Sequence, residues 1–207
     1  MGYTEKQLNI LSAAEQLFAT RGFDGTSVRD IAEASDVNVA MISYYFGSKE
    51  KLLQAIFRSR TETLSEKIEA LLKDDSLTPL QKMEFVIDDY IDRIVEKQKF
   101  YKLMLAEHSM GNNETISTLI REMKIKNSQL VSKLIKDGQD KKVFKKGIDV
   151  ILLINMVFGT AIHTFIGAEF YVEYYGIKTN SEAELHALIK KKLNTHIKEL
   201  CKATLLV

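Results

Sequence analysis

The chain has 207 residues, enough for one sizeable core or for a small module joined to a larger one. Its 29 Lys and Arg against 28 Asp and Glu leave a formal net charge of +1, which excludes a histone-like polycation and an acidic solvating tail. Apolar types at 45% and charged types at 28% are the mix of a packed chain, not a disordered one. There is a single proline, where average usage of about 5% would give roughly ten, and so few loop-forming residues predict an all-α fold. The first residues show no basic stretch followed by an apolar one, as a secretory signal would require. The lone Cys201 leaves no partner for an intrachain disulfide, and a buried thiol in a reducing, cytoplasmic setting is expected.

Thr4-Glu5-Lys6-Gln7 reads as a capping box, and Leu11, Ala14, Leu17 and Phe18 follow at helical spacing. Arg21-Gly22 supplies a basic last turn and a stop. Thr26 or Ser27 then caps a short helix with Val28, Ile31 and Ala32 on one face, and a second short helix runs from about Asn38 to Phe46. Ser48 caps a long helix reaching about Leu72, with Leu52, Leu53, Ile56, Leu64, Ile68 and Leu71 as its stripe. Thr78-Pro79-Gln81 is a strong start signal for the next helix. A short helix is expected from Phe100 to His108, ending near Gly111, and Asn113 opens another with Ile116, Ile120, Met123, Leu130 and Leu134 on one side. Gly147 starts an apolar helix through about Ala168, which Phe170 to Tyr175 extend. Ser181 to Glu184 form a capping box for a last helix with Leu185, Leu188, Ile189, Leu193, Ile197 and Leu200 on one face and Lys190, Lys191, Lys192, Lys198 and Lys202 on the other. About nine helices are predicted.

The stretch from Val150 to Ala168 is interrupted by Asn155, Thr160, His163 and Thr164, so a core helix is expected and not a membrane span. It is apolar nearly all round and must be covered on every side. Gly159, Ala161, Gly167 and Ala168 permit close approach of another helix. The economical arrangement packs the last two long helices against their copies in a second subunit, giving a homodimer with a four-helix interface. A monomeric bundle that buries them internally is the alternative.

Two short helices joined by a turn over Ser35 to Asn38 satisfy the requirements of a helix-turn-helix. Val28 and Ile31 face inward, Ala32 sits where only a small side chain lets the backbones approach, Val37 anchors the turn, and Ile42 and Phe46 hold the second helix down. In that geometry the second helix lies in the major groove of double-stranded DNA, and the N-terminal N–H groups of the first suit a phosphate.

The run Phe18-x-x-x-Gly22-Phe23-x-x-Thr26-Ser27-Val28, then Ile31-Ala32, Val37 and Ile42-x-Tyr44-Tyr45-Phe46-x-Ser48-Lys49-Glu50-x-Leu52-Leu53, resembles the TetR family of bacterial repressors. The match spans about residues 8 to 57. The resemblance implies a helix-turn-helix DNA-binding domain at residues 1–48 and a helical ligand-binding and dimerisation domain at residues 49–207, connected by the helix from about Ser48 to Leu72. It implies a regulator, chiefly a repressor, released from a near-palindromic operator by a small-molecule effector. Carried over by position, Ser27 and Arg29, with Thr26 beside them, match contacts from the first helix of the motif. Val39, Ala40 and Met41 match positions that face bases, Tyr44 and Tyr45 rings that grip the backbone, and Lys49 a phosphate-binding lysine. Asp36 stands where a turn glycine is usual, Ser43 where tyrosine is frequent, and Tyr45 where histidine is.

Residues 1–60 hold seven basic and seven acidic side chains, so DNA affinity cannot rest on a strongly basic domain. Val39, Ala40 and Met41 can meet thymine methyls, whereas Arg29 and Asn38 are able to make bidentate bonds to guanine and adenine. Direct readout is therefore sparse, and DNA shape supplies part of the specificity. The nine basic residues of Arg121 to Lys146 spread around a helix and its loop and read as a solvated face. Asp88, Asp89 and Asp92 read as a polar helix face. His108, His163, His186 and His196 lack metal-ligand spacing, and no nucleophile, GxGxxG or P-loop motif is present, so neither enzyme activity nor a cofactor is expected. Within the apolar helix, polar groups that orient an apolar ligand are expected to include Asn155 and His163, with Tyr90, Met104, His108 and Phe158 as further pocket liners. Rival readings are a ligand-independent regulator or activator, a four-helix-bundle enzyme, and a helical protein-interaction module without DNA binding.

Overall fold

Thr4 starts the first helix as its neighbours dictate: its side chain accepts from the Gln7 N–H while Gln7 Oε1 accepts from the Thr4 N–H at 2.9 Å. The computed structural model describes residues 3–110 and 114–207, with side chains at all of these except 61–64, 106–110 and 115. Among the described residues ten helices follow in order, one more than expected: α1 Glu5–Arg21, α2 Val28–Ala34, α3 Val39–Phe46, α4 Lys49–Lys73, α5 Pro79–Glu96, α6 Gln98–Met110, α7 Glu114–Asp140, α8 Val150–Ile166, α9 Ala168–Tyr175 and α10 Glu182–Leu205. The stop at Gly111 and the start at Asn113 lie outside the described residues.

The extra helix comes from Gly167. The expected extension of the apolar helix through Phe170 to Tyr175 is instead a separate helix, bent by 74° from α8. Gly167 caps α8, donating to His163 O at 2.9 Å, and starts α9 without a side-chain cap. Gly is a poor helix former, and here it is the residue at which the helix turns. The start of α8 also moves from Gly147 to Asp149, whose carboxylate accepts from the N–H groups of Ile151 and Leu152. Among the described residues no single helix is long and apolar enough to cross a membrane.

The chain forms two compact units, residues 1–64 with 99–125 and residues 65–98 with 126–207. In the first unit Ile10, Leu11, Ala14 and Phe18 of α1 share a buried core with Ile31, Ala32, Ile42 and Phe46 of the helix pair and with Leu52, Leu53, Ile56 and Phe57 of α4. The Phe57 ring meets Phe100 of α6 edge-on at 5.1 Å. Arg60 donates Nε to the buried Glu15 at 2.7 Å, tying α4 to α1. These apolar and ionic ties place the first part of α4 with the N-terminal helices.

In the second unit α5, α8 and α10 pack on one another. The acidic face of α5 meets lysines of α10: Glu84 pairs with Lys202 (2.8 Å), Asp88 with Lys198 (2.6 Å) and Asp92 with Lys190 (2.7 Å). Exposed pairs of this kind contribute about 0–1 kcal/mol each, so they set alignment more than they add stability. Lys82, 1% exposed, donates Nζ to Leu72 O at 3.4 Å and places a cation at the C-terminal end of α4. Cys201 is buried, and burial pushes its thiol up to about 11.

After α7 the chain folds back, and Phe144 packs its ring on Gly138 while Lys145 N–H donates to Leu205 O at 2.7 Å. A Cβ at Gly138 would stand 2.0 Å from Phe144 Cδ2, so nothing larger than hydrogen fits. Gly→Ala inside a helix ordinarily gains about 1 kcal/mol. Gly138→Ala is expected to lose roughly 1–3 kcal/mol instead, through overpacking. Urea and thermal unfolding check the sign, and a variant more stable than the parent contradicts the packing described.

Candidate nucleic-acid interface

Ser27 caps α2: its Oγ accepts from the Asp30 N–H (3.1 Å), and Asp30 Oδ2 accepts from the Ser27 N–H (2.7 Å). Hydrogen bonds from Ser27 hold the Asp30 carboxyl below its ordinary range, and Arg21 adds to this from 3.7 Å. The box already engages donors at the start of α2 that were expected to serve a phosphate, and the Asp30 charge sits beside them. Thr26 departs from the expected DNA-facing set. It is 1% exposed and donates Oγ1 to Gly22 O at 2.9 Å, closing the end of α1. Burial removes it from contact with DNA.

The turn between α2 and α3 is fixed by the chain's own backbone. Ser35 donates Oγ to Ile31 O at 2.6 Å, and Val37 N–H donates to Ala32 O at 3.0 Å. Asp36 takes the left-handed conformation, φ 51°, at the place where glycine is usual. Asn9 of α1 reaches 26 residues along the chain to donate Nδ2 to Ser35 O at 2.8 Å. Sequence reading missed Asn9, since a lone exposed polar residue on α1 carries no signal for a partner so distant.

Asn38 caps α3, its Oδ1 accepting from the Ala40 N–H at 2.6 Å. Reading adenine with both amide atoms would have to displace that bond, so Asn38 serves first to start the helix. With Ile42 and Phe46 buried, α3 leaves Val39, Ala40, Ser43 and Tyr44 exposed and Met41 half-buried. Tyr44 is 84% exposed, and its ring meets Tyr45 at 5.3 Å, with Tyr45 half-buried toward Phe46. Arg29 is exposed on α2.

Lys49 is turned inward. Its ammonium donates to Phe23 O and Thr26 O, both at 2.9 Å, and lies 4.2 Å from the centre of the Phe23 ring. Two of its three protons bind the α1–α2 loop, so at most one is available to a phosphate without rearrangement. The helix pair thus gathers Ser27, Arg29, Val39, Ala40, Met41, Ser43, Tyr44 and Tyr45 on two adjacent short helices.

The expected ligand liners fall in both compact units. Tyr90 and Phe158 meet ring to ring at 5.9 Å. Met104 is buried in the other unit, and the side chain of His108 lies outside the described residues. Asn155 and His163 are exposed, at helical spacing with exposed Leu152 and Ile166 on one face of α8. Both therefore lie on the exposed side of α8.

Residues 10–56 match the family described as bacterial regulatory proteins, tetR family, and residues 79–192 match the tetracyclin repressor-like C-terminal domain. Over 140 residues the chain is 29% identical to the probable HTH-type transcriptional regulator YttP of Bacillus subtilis (strain 168), covering 65% of each chain. Over 141 residues it is 29% identical to the HTH-type transcriptional repressor NicS of Pseudomonas putida, covering 68% of this chain and 66% of that one. Both alignments span just under two thirds of the relatives' length. Its fold is similar to that of the fatty acid degradation regulator FadR from Bacillus halodurans, with a TM-score of 0.71 at 22% identity over 96% of this chain and 97% of that one.

Arg29 is an exposed cation of α2 whose guanidinium can make bidentate bonds to guanine. Arg29→Ala is expected to relax preference at one base pair per half-site by roughly 1–3 kcal/mol. Competition binding with single-base-substituted duplexes reads this directly, and equal weakening on every sequence assigns Arg29 to phosphate instead.

Proposed function

Because the chain belongs to the TetR family of bacterial regulatory proteins, we propose that it is a DNA-binding transcriptional repressor that a small-molecule effector releases from a near-palindromic operator. The observation that carries this reading is the α2–α3 pair, with Ile31, Ala32, Ile42 and Phe46 buried behind it and Val39, Ala40, Ser43 and Tyr44 presented outward. Residues 1–48 read the DNA, and residues 49–207 bind the effector and dimerise. α4, which contributes to both compact units, is the connecting element.

The repressor acts as a homodimer, sealed through α8 and α10. Support comes from α8, whose exposed Ile151, Leu152 and Ile166 form an uncovered apolar face, and from Gly159, where a Cβ would meet nothing within 4 Å. Two copies of α3 about 34–36 Å apart enter successive major grooves. An effector that prefers another separation depletes the DNA-competent population, by no more than its differential affinity allows.

Two measurements test this. Selection from a random DNA pool should enrich inverted repeats whose half-sites are centred roughly 10 base pairs apart or a multiple of that; fragments without inverted symmetry contradict the reading. Gly159→Leu fits the open space of a single subunit, so it should preserve helical content while sedimentation shows the dimer weakened by tenfold or more. An intact dimer excludes α8 from the interface.

A further inference from the structure

The face of α5 next to its lysine-paired edge carries charges arranged differently. Asp89 accepts from two cations: Lys67 of α4, and Arg93 one turn along α5, whose Nε lies 2.5 Å from Asp89 Oδ2. One carboxylate therefore serves two positive groups, and the cluster keeps one positive charge in excess. The Lys67 side chain is 57% exposed and open to solvent. The Arg93 side chain is only 7% exposed, and its Nη1 is buried without an acceptor among the described residues. A guanidinium does not shed its proton to escape such a position, so the second unit holds a buried charged donor with no acceptor among the described residues.

We infer that this donor receives the acid group of the effector, and that the effector is an organic acid with an apolar body. The inference rests on the reading of the protein as effector-responsive. A monoanion balances the excess charge, whereas a phosphate dianion would overshoot it. A carboxylate is planar, small and able to accept a charge-assisted bond from Nη1. Three residues earlier on α5, about one helical turn from Arg93, Tyr90 meets Phe158 of α8 ring to ring at 5.9 Å, an aromatic pair suited to a hydrocarbon body.

The test uses the full-length dimer and a series of straight-chain fatty acids from octanoate to palmitate, each paired with its uncharged alcohol. Calorimetric titration should show at least one acid binding tenfold or more tightly than its alcohol. Arg93→Met should remove that advantage, leaving the alcohol's affinity in place. Asp89→Asn, which withdraws the competing carboxylate, should strengthen acid binding, a gain that a damaged fold does not produce. The inference is overturned if no acid binds, if acid and alcohol bind alike, or if Arg93→Met keeps the acid's advantage. Binding of DNA by the effector-free protein is measured in parallel. Its failure counts against the repressor reading, while its success alongside indifferent acids counts only against the role of Arg93.

Discussion

α3 can face outward only because the turn before it is held from behind. That turn has no regular ladder of its own. Ser35 Oγ returns to Ile31 O, the Asn9 amide grips Ser35 O, and Asp36 accepts a left-handed backbone that costs roughly 1 kcal/mol. With the turn fixed, Ile42 and Phe46 can be buried on one side of a helix of only eight residues, and the other side is left to meet a partner. A helix this short is not stable alone in water. Its shape is imposed by the core beneath it.

The helix-turn-helix was legible in the sequence because its signals are local. Capping residues, small residues at the crossing and apolar spacing all act within a few positions, and both ends of α1 and α3 and the start of α5 fall where those signals put them. What could not be read were the long-range choices. Thr26 and Ser27 are adjacent hydroxyl residues with equal claims to the cap, and only packing sends one into the core. Lys49 has the position of a phosphate ligand, yet two carbonyls of a loop more than twenty residues earlier hold its ammonium. Asn155 and His163 sit on an apolar stripe, and periodicity does not say whether a stripe faces the chain's own core or another molecule. The break at Gly167 was ambiguous for a related reason, since Gly is tolerated within a helix unless the neighbours favour a turn.

Electrostatics divides the molecule in a similar way. The surface that would approach DNA is nearly neutral, with Asp30 beside the donors of α2 and Lys49 directed inward. Affinity from such a face depends on hydroxyls, tyrosine rings and shape more than on bulk charge, and should vary less steeply with salt than for a strongly basic domain. Inside the second unit charges are instead matched along facing helices, while Arg93 Nη1 is buried without an acceptor among the described residues.

The spacing of the lysines on α10 has a mechanical consequence. Acidic groups recur every fourth residue on α5, at Glu84, Asp88 and Asp92, while the cations opposite stand at Lys202, Lys198 and Lys190, with uncharged Asn194 filling the intervening position. If α10 slid one turn so that Asp88 confronted Asn194, Glu84 would meet Lys198 and Asp92 would meet Lys190, so a single ion pair separates the two registers. At about 0–1 kcal/mol for such a pair, the gap at Asn194 only biases the alignment. The register is held instead by the buried Ile189, Leu193, Ile197 and Cys201 of α10, which a full-turn slide would have to repack.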